Sequence, residues 1–289
     1  MTMPPAQPLR AAIWMTGAII SFSAMAVAGR ELASGLDTYE IMLYRSAIGL
    51  VVVVLVARVA GTLGQVSPRS IHVHFIRNIA HFTGQNLWFF ALGLIPLAQV
   101  FALEFTAPIW AMFLAVLVLG ESLTKIRLTT AVLGFAGVLI ITQPWGAPLS
   151  LGIIAAALAA IGFAGTAVFT RLLTRSETVT CILFWLVSMQ LVFSLICAGY
   201  DGDITWPGAQ AWPLIVLVSL AGLVAHFCIT KALSLAPAAV VMPVDFTRLP
   251  LIALVGYLFY SEDLSIALVI GSTMIIGANY LSLSATSKK

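Results

Sequence analysis

Apolar residues fill ten stretches of this chain, at about 11–29, 39–57, 75–95, 97–119, 127–142, 151–170, 179–199, 213–233, 238–260 and 266–283, and polar residues gather in the short gaps between them. Each stretch is near the roughly 20 residues that cross a bilayer as a helix. Most are apolar all round rather than on one face, the pattern of a helix surrounded by lipid and other helices. The pattern predicts an all-α integral membrane protein with ten transmembrane helices.

The pattern also repeats. Residues 91–123 recur 141 positions later, with eleven of 33 aligned positions identical. Pro96 matches Pro237, Phe105-Thr106 matches Phe246-Thr247, Glu121 matches Glu262, and Glu104 meets the like-charged Asp245. Arg30 and Arg171 share the same offset. The chain therefore divides into two five-span units, 1–145 and 146–289. Five crossings leave the second unit starting from the opposite side, so the two units are inverted. Inverted repeats characterise many secondary transporters, with the substrate near the midplane at the repeat interface.

Composition narrows the class further. Hydrophobic residues make up 61% and charged residues 9% of the 289, against roughly 25% charged in soluble domains, so a soluble helical core is disfavoured. The net charge of +3 comes from scattered residues and forms no basic run, which gives no reason to expect a nucleic-acid partner. With the N-terminus inside, nearly all loop Arg and Lys residues fall on the cytoplasmic side and Arg30 alone falls outside; Arg77 is counted with the cytoplasmic set, and Arg45 and Arg248 lie within spans. The expectation is a plasma (bacterial inner) membrane protein with both termini cytoplasmic. Arg10 and the first span resemble a signal peptide, but its full-length counterpart at 151–170 favours a retained helix. Cys181, Cys197 and Cys228 all sit in apolar segments, as small core residues do.

Candidate chemistry lies inside the spans. Glu104 and Asp245 each stand eighth in a span, roughly 6 Å from the midplane on opposite sides. An ionised acid at that depth must face protein or water. Asp245 and Arg248, at i and i+3, can neutralise each other, whereas Glu104 has no partner in its own span. Asn78, His81, Gln85 and Trp88 share one face of the third span, which suits either a water-filled path or a hydrogen-bonded seam. His226 is a further candidate, or a packed core histidine. Trp88 and Phe163 are candidate aromatic walls, along with Trp14, Trp110 and Trp185. Pro108, Pro243 and Pro250 interrupt the fourth and ninth spans and could shape or hinge them. The small-residue face of the sixth span suits close helix packing. No phosphate loop, H-E-x-x-H or G-x-S-x-G is present, and His72 and His74 lack further ligands, so no enzyme activity, cofactor or metal is expected.

The tandem A-L-x-x-x-P-x-A pattern, the acid followed by F-T, the proline-interrupted apolar run and L-G-E-x-L-T resemble the EamA-type branch of the drug/metabolite transporter superfamily. The resemblance implies ten helices in two inverted repeats around a central cavity. It also implies export of amino acids, related metabolites or amphiphilic compounds, with the aromatic-amino-acid exporter type as first comparison. Pro96, Glu121, Pro237 and Glu262 carry the shared motif and are architectural.

The substrate-binding set expected is Glu104, His81, Gln85, Trp88, Phe163, His226, Asp245 and Arg248. Its partners would be a small-molecule solute and the bilayer, in a monomeric protein. Rival readings are a nucleotide-sugar or triose-phosphate carrier of the same architecture, a non-transporting receptor or assembly subunit, and an intramembrane enzyme. An anionic substrate would favour more than one central basic residue, and only Arg248 is placed there by this reading.

Overall fold

A computed structural model describes residues 7–119, 125–143, 149–200, 202–235 and 244–287; Glu121, Pro237 and Pro243 lie outside these. Among the described residues every long element is a helix: α1 Pro8–Leu32, α2 Thr38–Val59, α3 Ile71–Leu92, α4 Leu97–Glu104, α5 Ala107–Leu119, α6 Lys125–Thr142, α7 Leu151–Leu173, α8 Val179–Ala198, α9 Ala211–Leu235, α10 Arg248–Tyr260 and α11 Ile266–Ser287. Six stretches among the described residues are long and apolar enough to cross a membrane, α4 and α5 counting as one, and three shorter apolar helices accompany them. The polar α3 is not among the six, because its histidines, Arg77, Asn78 and Gln85 lower its hydropathy.

Local sequence sets the helix ends. Pro8 opens α1 at its first turn, where a missing N–H costs nothing. At α2, the Asp37 carboxylate accepts from the Glu40 amide at 2.8 Å while Glu40 accepts from the Asp37 amide at 2.9 Å, a reciprocal capping box. Thr178 caps α8 by accepting from the Cys181 amide.

The fourth apolar stretch, a single span that Pro108 was expected to shape or hinge, breaks between α4 and α5 at Phe105-Thr106. Pro108 has no N–H to offer Glu104 O, so the α-helical ladder cannot cross this point. The Thr106 hydroxyl donates to Leu103 O at 2.7 Å, and the Ile109 amide donates to Thr106 O at 2.9 Å. Phe105 O is left for the Asn279 side-chain amide of α11, at 2.7 Å. The second half repeats the device. The Thr247 hydroxyl donates to Val244 O at 2.7 Å, and the Leu249 amide to Phe246 O at 3.2 Å. The duplicated Phe-Thr therefore marks the same helix break in both halves.

Packing exchanges the halves. Helix α1 lies along α9 and α3 along α7, two contacts equivalent under the 141-residue offset, while α2 meets α8 and α6 meets α11. Backbones touch where glycines allow it. A Cβ on Gly162 would lie 2.7 Å from Gly84 Cα, and one on Gly137 would lie 2.7 Å from Gly271 O. The small-residue face of α7 is thus a seam against α3.

At the end of the bundle where α1 finishes, Glu262 ties the halves together. Both its carboxylate oxygens accept from the Leu97 amide, at 3.1 and 2.9 Å, and Arg30 pairs with it. Arg30 also lies 4.5 Å over the Tyr260 ring, and the Tyr260 hydroxyl donates to Glu31 at 2.7 Å.

Candidate functional site

The broken helices bring charged side chains to the junction of the two halves. Glu104 ends α4, and Asp245 and Arg248 flank the matching break before α10. The Arg248 guanidinium donates from Nη2 to Glu104 Oε1 at 3.0 Å and to Asp245 Oδ2 at 3.1 Å. The Trp88 indole of α3 donates to the other Glu104 oxygen at 2.8 Å. Phe22, Phe101 and Phe105 each place a ring 4.8–5.1 Å from the guanidinium carbon, a cation–π enclosure. Two carboxylates share one cation, so the group carries a net charge of −1 when all three ionise. Among the described residues, Asp245 Oδ1 and Arg248 Nε have no hydrogen-bond partner.

A second polar centre lies between α2, α3, α8 and α9. A small cavity of about 20 Å³ is bordered by Arg45 and Ser46 of α2, His81 of α3, Gln190 of α8 and Ser219, Gly222 and His226 of α9. That volume holds about one water molecule. The rings of His81 and His226 are 6.2 Å apart, and Phe163 of α7 stands 6.3 Å from His81. The two centres share a wall, since the Phe22 ring that faces Arg248 also packs edge-on against His226, at 5.6 Å. Phe82, next in sequence to His81, lines a wider groove of about 730 Å³ with Tyr39, Asn86 and Phe90.

The structure thus divides the expected residues. Glu104, Trp88, Asp245 and Arg248 form the ionic group, and His81 and His226 border the cavity with Phe163 behind the His81 ring. Gln85 is buried on α3, its amide nitrogen without a hydrogen-bond partner among the described residues. Asn78 belongs to a seam: its amide donates to His74 O at 2.8 Å, and the Gln190 amide donates to Asn78 O at 3.0 Å. The remaining tryptophans pack elsewhere, Trp14 on Phe227, Trp110 on Phe135, and Trp185 bonded to Ser67 O at 2.9 Å.

Two residues escaped the sequence-based set. Arg77, counted with the loop cations, lies two turns inside α3 and is 4% exposed, with Nε donating to Thr170 of α7 at 3.1 Å. Arg45 borders the cavity. Arg77 precedes His81 by four residues and so shares its face, which was the available signal. At the other end of the α3 seam, His74, Glu177 and Cys181 hold potential ligand atoms within 4.8 Å of one another. Glu177 is already occupied by the Ser70 hydroxyl at 2.7 Å, a bond that holds its carboxyl below the ordinary carboxylate range.

Known proteins agree with this architecture. The chain is 32% identical over 211 residues to a riboflavin transporter of Brucella anthropi, covering 72% of this chain and 74% of that one. It is 26% identical over 277 residues to an S-adenosylmethionine uptake transporter of Rickettsia felis, covering 95% and 92%. It is also 26% identical over 273 residues to a pseudopaline exporter of Pseudomonas aeruginosa, covering 94% of both. A crystal structure of a protein 19% identical in sequence shares the fold, with a TM-score of 0.68 over 96% of this chain and 98% of that one. The EamA-like transporter family matches residues 9–143 and again 150–284. With a family match over both halves and transporters among its relatives, the chain is a multi-pass membrane transporter belonging to the EamA-like transporter family.

Proposed function

We propose that this transporter is a secondary carrier exporting amino acids or related small metabolites across the plasma membrane. Its two units, 1–145 and 146–289, act as inverted five-helix bundles with ten crossings and both termini cytoplasmic, and they rock about a midplane cavity. The observation that carries this reading is the junction of the halves. There Glu104 of one unit pairs with Arg248 of the other, beside a cavity bordered by His81 and His226. Breaking and remaking a buried inter-unit ion pair gives the rocking element two discrete arrangements.

Glu104 is engaged by both Arg248 and Trp88, so it meets a solute amino group or a proton only when Arg248 releases it. The test is flux of a labelled amino-acid panel into proteoliposomes, with and without a pH gradient, against empty liposomes. Flux of panel members above the empty control is expected. Gradient-driven flux unchanged by Glu104→Gln would remove the proton role from Glu104.

A second reading is a larger heteroaromatic solute. The similarity to riboflavin and S-adenosylmethionine transporters favours it, as do the Phe22 and Phe163 rings packed against His226 and His81. Riboflavin and S-adenosylmethionine therefore belong in the same panel. Their movement without that of amino acids would select this reading.

A further inference from the structure

We infer that Arg45 is the anchor for an anionic group, a carboxylate in the amino-acid case, on the solute this carrier moves; the inference deepens the transport reading and rests on it. Among the described residues, no carboxylate pairs with Arg45 or Arg77. Arg45 Nη1 donates, among the described residues, only to the Met42 sulfur, at 3.5 Å, a weak acceptor. An intramembrane cation without a counter-charge is expensive, on the order of 2.5–3.5 kcal/mol on insertion scales. Arg248, by contrast, has two carboxylates. Retaining an uncompensated, half-buried cation within the bundle is explained when its counter-charge arrives with a ligand.

The surroundings are built for that ligand. Gly222 leaves the guanidinium its place, because a Cβ there would lie 2.9 Å from Arg45 Nη2. His81 and Gln190 are each 3% exposed and border the same cavity. Among the described residues, His81 Nδ1 and Gln190 Oε1 have no hydrogen-bond partner. The Gln190 amide nitrogen is committed to Asn78, which fixes its carbonyl as a free acceptor for a donor on the same ligand. An anchored carboxylate beside an acceptor is the recognition pattern of a zwitterion, and Phe163 beside His81 offers an apolar neighbour for its side chain. Arg77 adds positive potential from four residues before His81. With about 20 Å³ available, a carboxylate enters only as α2, α3, α8 and α9 part, so binding is tied to opening.

The experiment uses the full chain in detergent and a matched pair of probes, 3-phenylpropionate and its neutral isostere 3-phenylpropionamide, read by thermal unfolding and by tryptophan fluorescence titration. Stabilisation by the carboxylate and a weak response to the amide are expected. Arg45→Gln should weaken carboxylate binding by about 30-fold or more, the effect of removing one partner of a buried charge pair. Arg69→Gln, at an exposed position, should bind as wild type does. Arg45→Lys, which keeps the charge but loses the planar fork, should fall between and serves if the glutamine variant does not fold.

Equal responses to acid and amide, no response to either, or full carboxylate affinity in Arg45→Gln would each overturn the assignment. In proteoliposomes, carboxylate binding with no flux of any panel member removes the transport reading and leaves the subsite. Flux indifferent to Arg45→Gln removes the subsite and leaves transport.

Discussion

The molecule keeps two cationic centres inside the helix bundle, a buried one at Arg248 and a half-buried one at Arg45, and treats them oppositely. Around Arg248 the chain supplies two carboxylates, an indole N–H on one of them and three aromatic rings. Around Arg45 it supplies a thioether, a glycine and two histidines. The first centre is satisfied from within the fold and joins the two halves; the second is left to be satisfied from outside. Both acids of the first centre stand at equivalent positions of the repeat, whereas Arg45 aligns with Leu186 and Arg77 with Val218. The duplicated element has kept a shared ionic joint, and the uncompensated cations belong to one half alone.

The largest effect that would break this contrast is Arg248→Leu. It leaves Glu104 and Asp245 without their cation, and loss of one partner from a buried ion pair costs about 3–5 kcal/mol. A sharp fall in the thermal midpoint and in yield is expected, with partial recovery when Glu104→Gln is added. A midpoint within a degree or two of wild type would mean that the pairing does not hold the halves together.

A smaller effect is expected at the α3–α7 seam. In Gly162→Ala the new methyl meets the Gly84 backbone, which cannot rotate away, and overpacking of this kind costs about 1–3 kcal/mol. The measurement is again the unfolding midpoint, with no selective loss of carboxylate binding. Arg45→Gln removes a charge that no carboxylate among the described residues offsets, so its effect on stability should be neutral or favourable. A loss as large as that of Arg248→Leu would show that Arg45 has a structural partner.

The smallest effect concerns the loop before α8. The Ser70 hydroxyl lowers the Glu177 pKa, so that bond's contribution is present above the ordinary carboxylate pKa. It is lost as the pH falls through the lower folded value. Ser70→Ala should therefore narrow the stability difference between neutral and acid pH by a small amount, seen in unfolding midpoints across that range. An unchanged profile would place the shift elsewhere.

How much of this was legible depended on the range of the interaction. The helical class and the family came directly from hydropathy and the duplicated motif. The Asp245–Arg248 contact, three residues apart, was readable because helix geometry fixes it. The Glu104–Arg248 contact spans 144 residues, and no local pattern reports such a pairing. Pro108 marked the fourth span as interrupted, without giving the residue at which the chain turns. The chain turns at Phe105-Thr106, because the carbonyl orphaned by Pro108 lies four residues before it, and the Thr106 hydroxyl closes the turn on Leu103 O. Arg77 was misplaced because α3 begins four residues earlier than its apolar stretch, at Ile71 rather than 75, and a cation that looked peripheral became internal. Arg45 was visible inside a span, where an ionisable residue is a functional candidate by default, and its missing partner emerged only from the packing of α2, α8 and α9.

The most direct test of the account is the initial rate of amino-acid counterflow in proteoliposomes, measured side by side for wild type and Arg45→Gln at equal amounts of folded protein. The account predicts saturable flux in wild type and a loss of at least about tenfold in the variant, with the unfolding midpoint preserved. Equal rates in the two proteins would contradict it, because the cation left without a partner would then play no part in holding the solute.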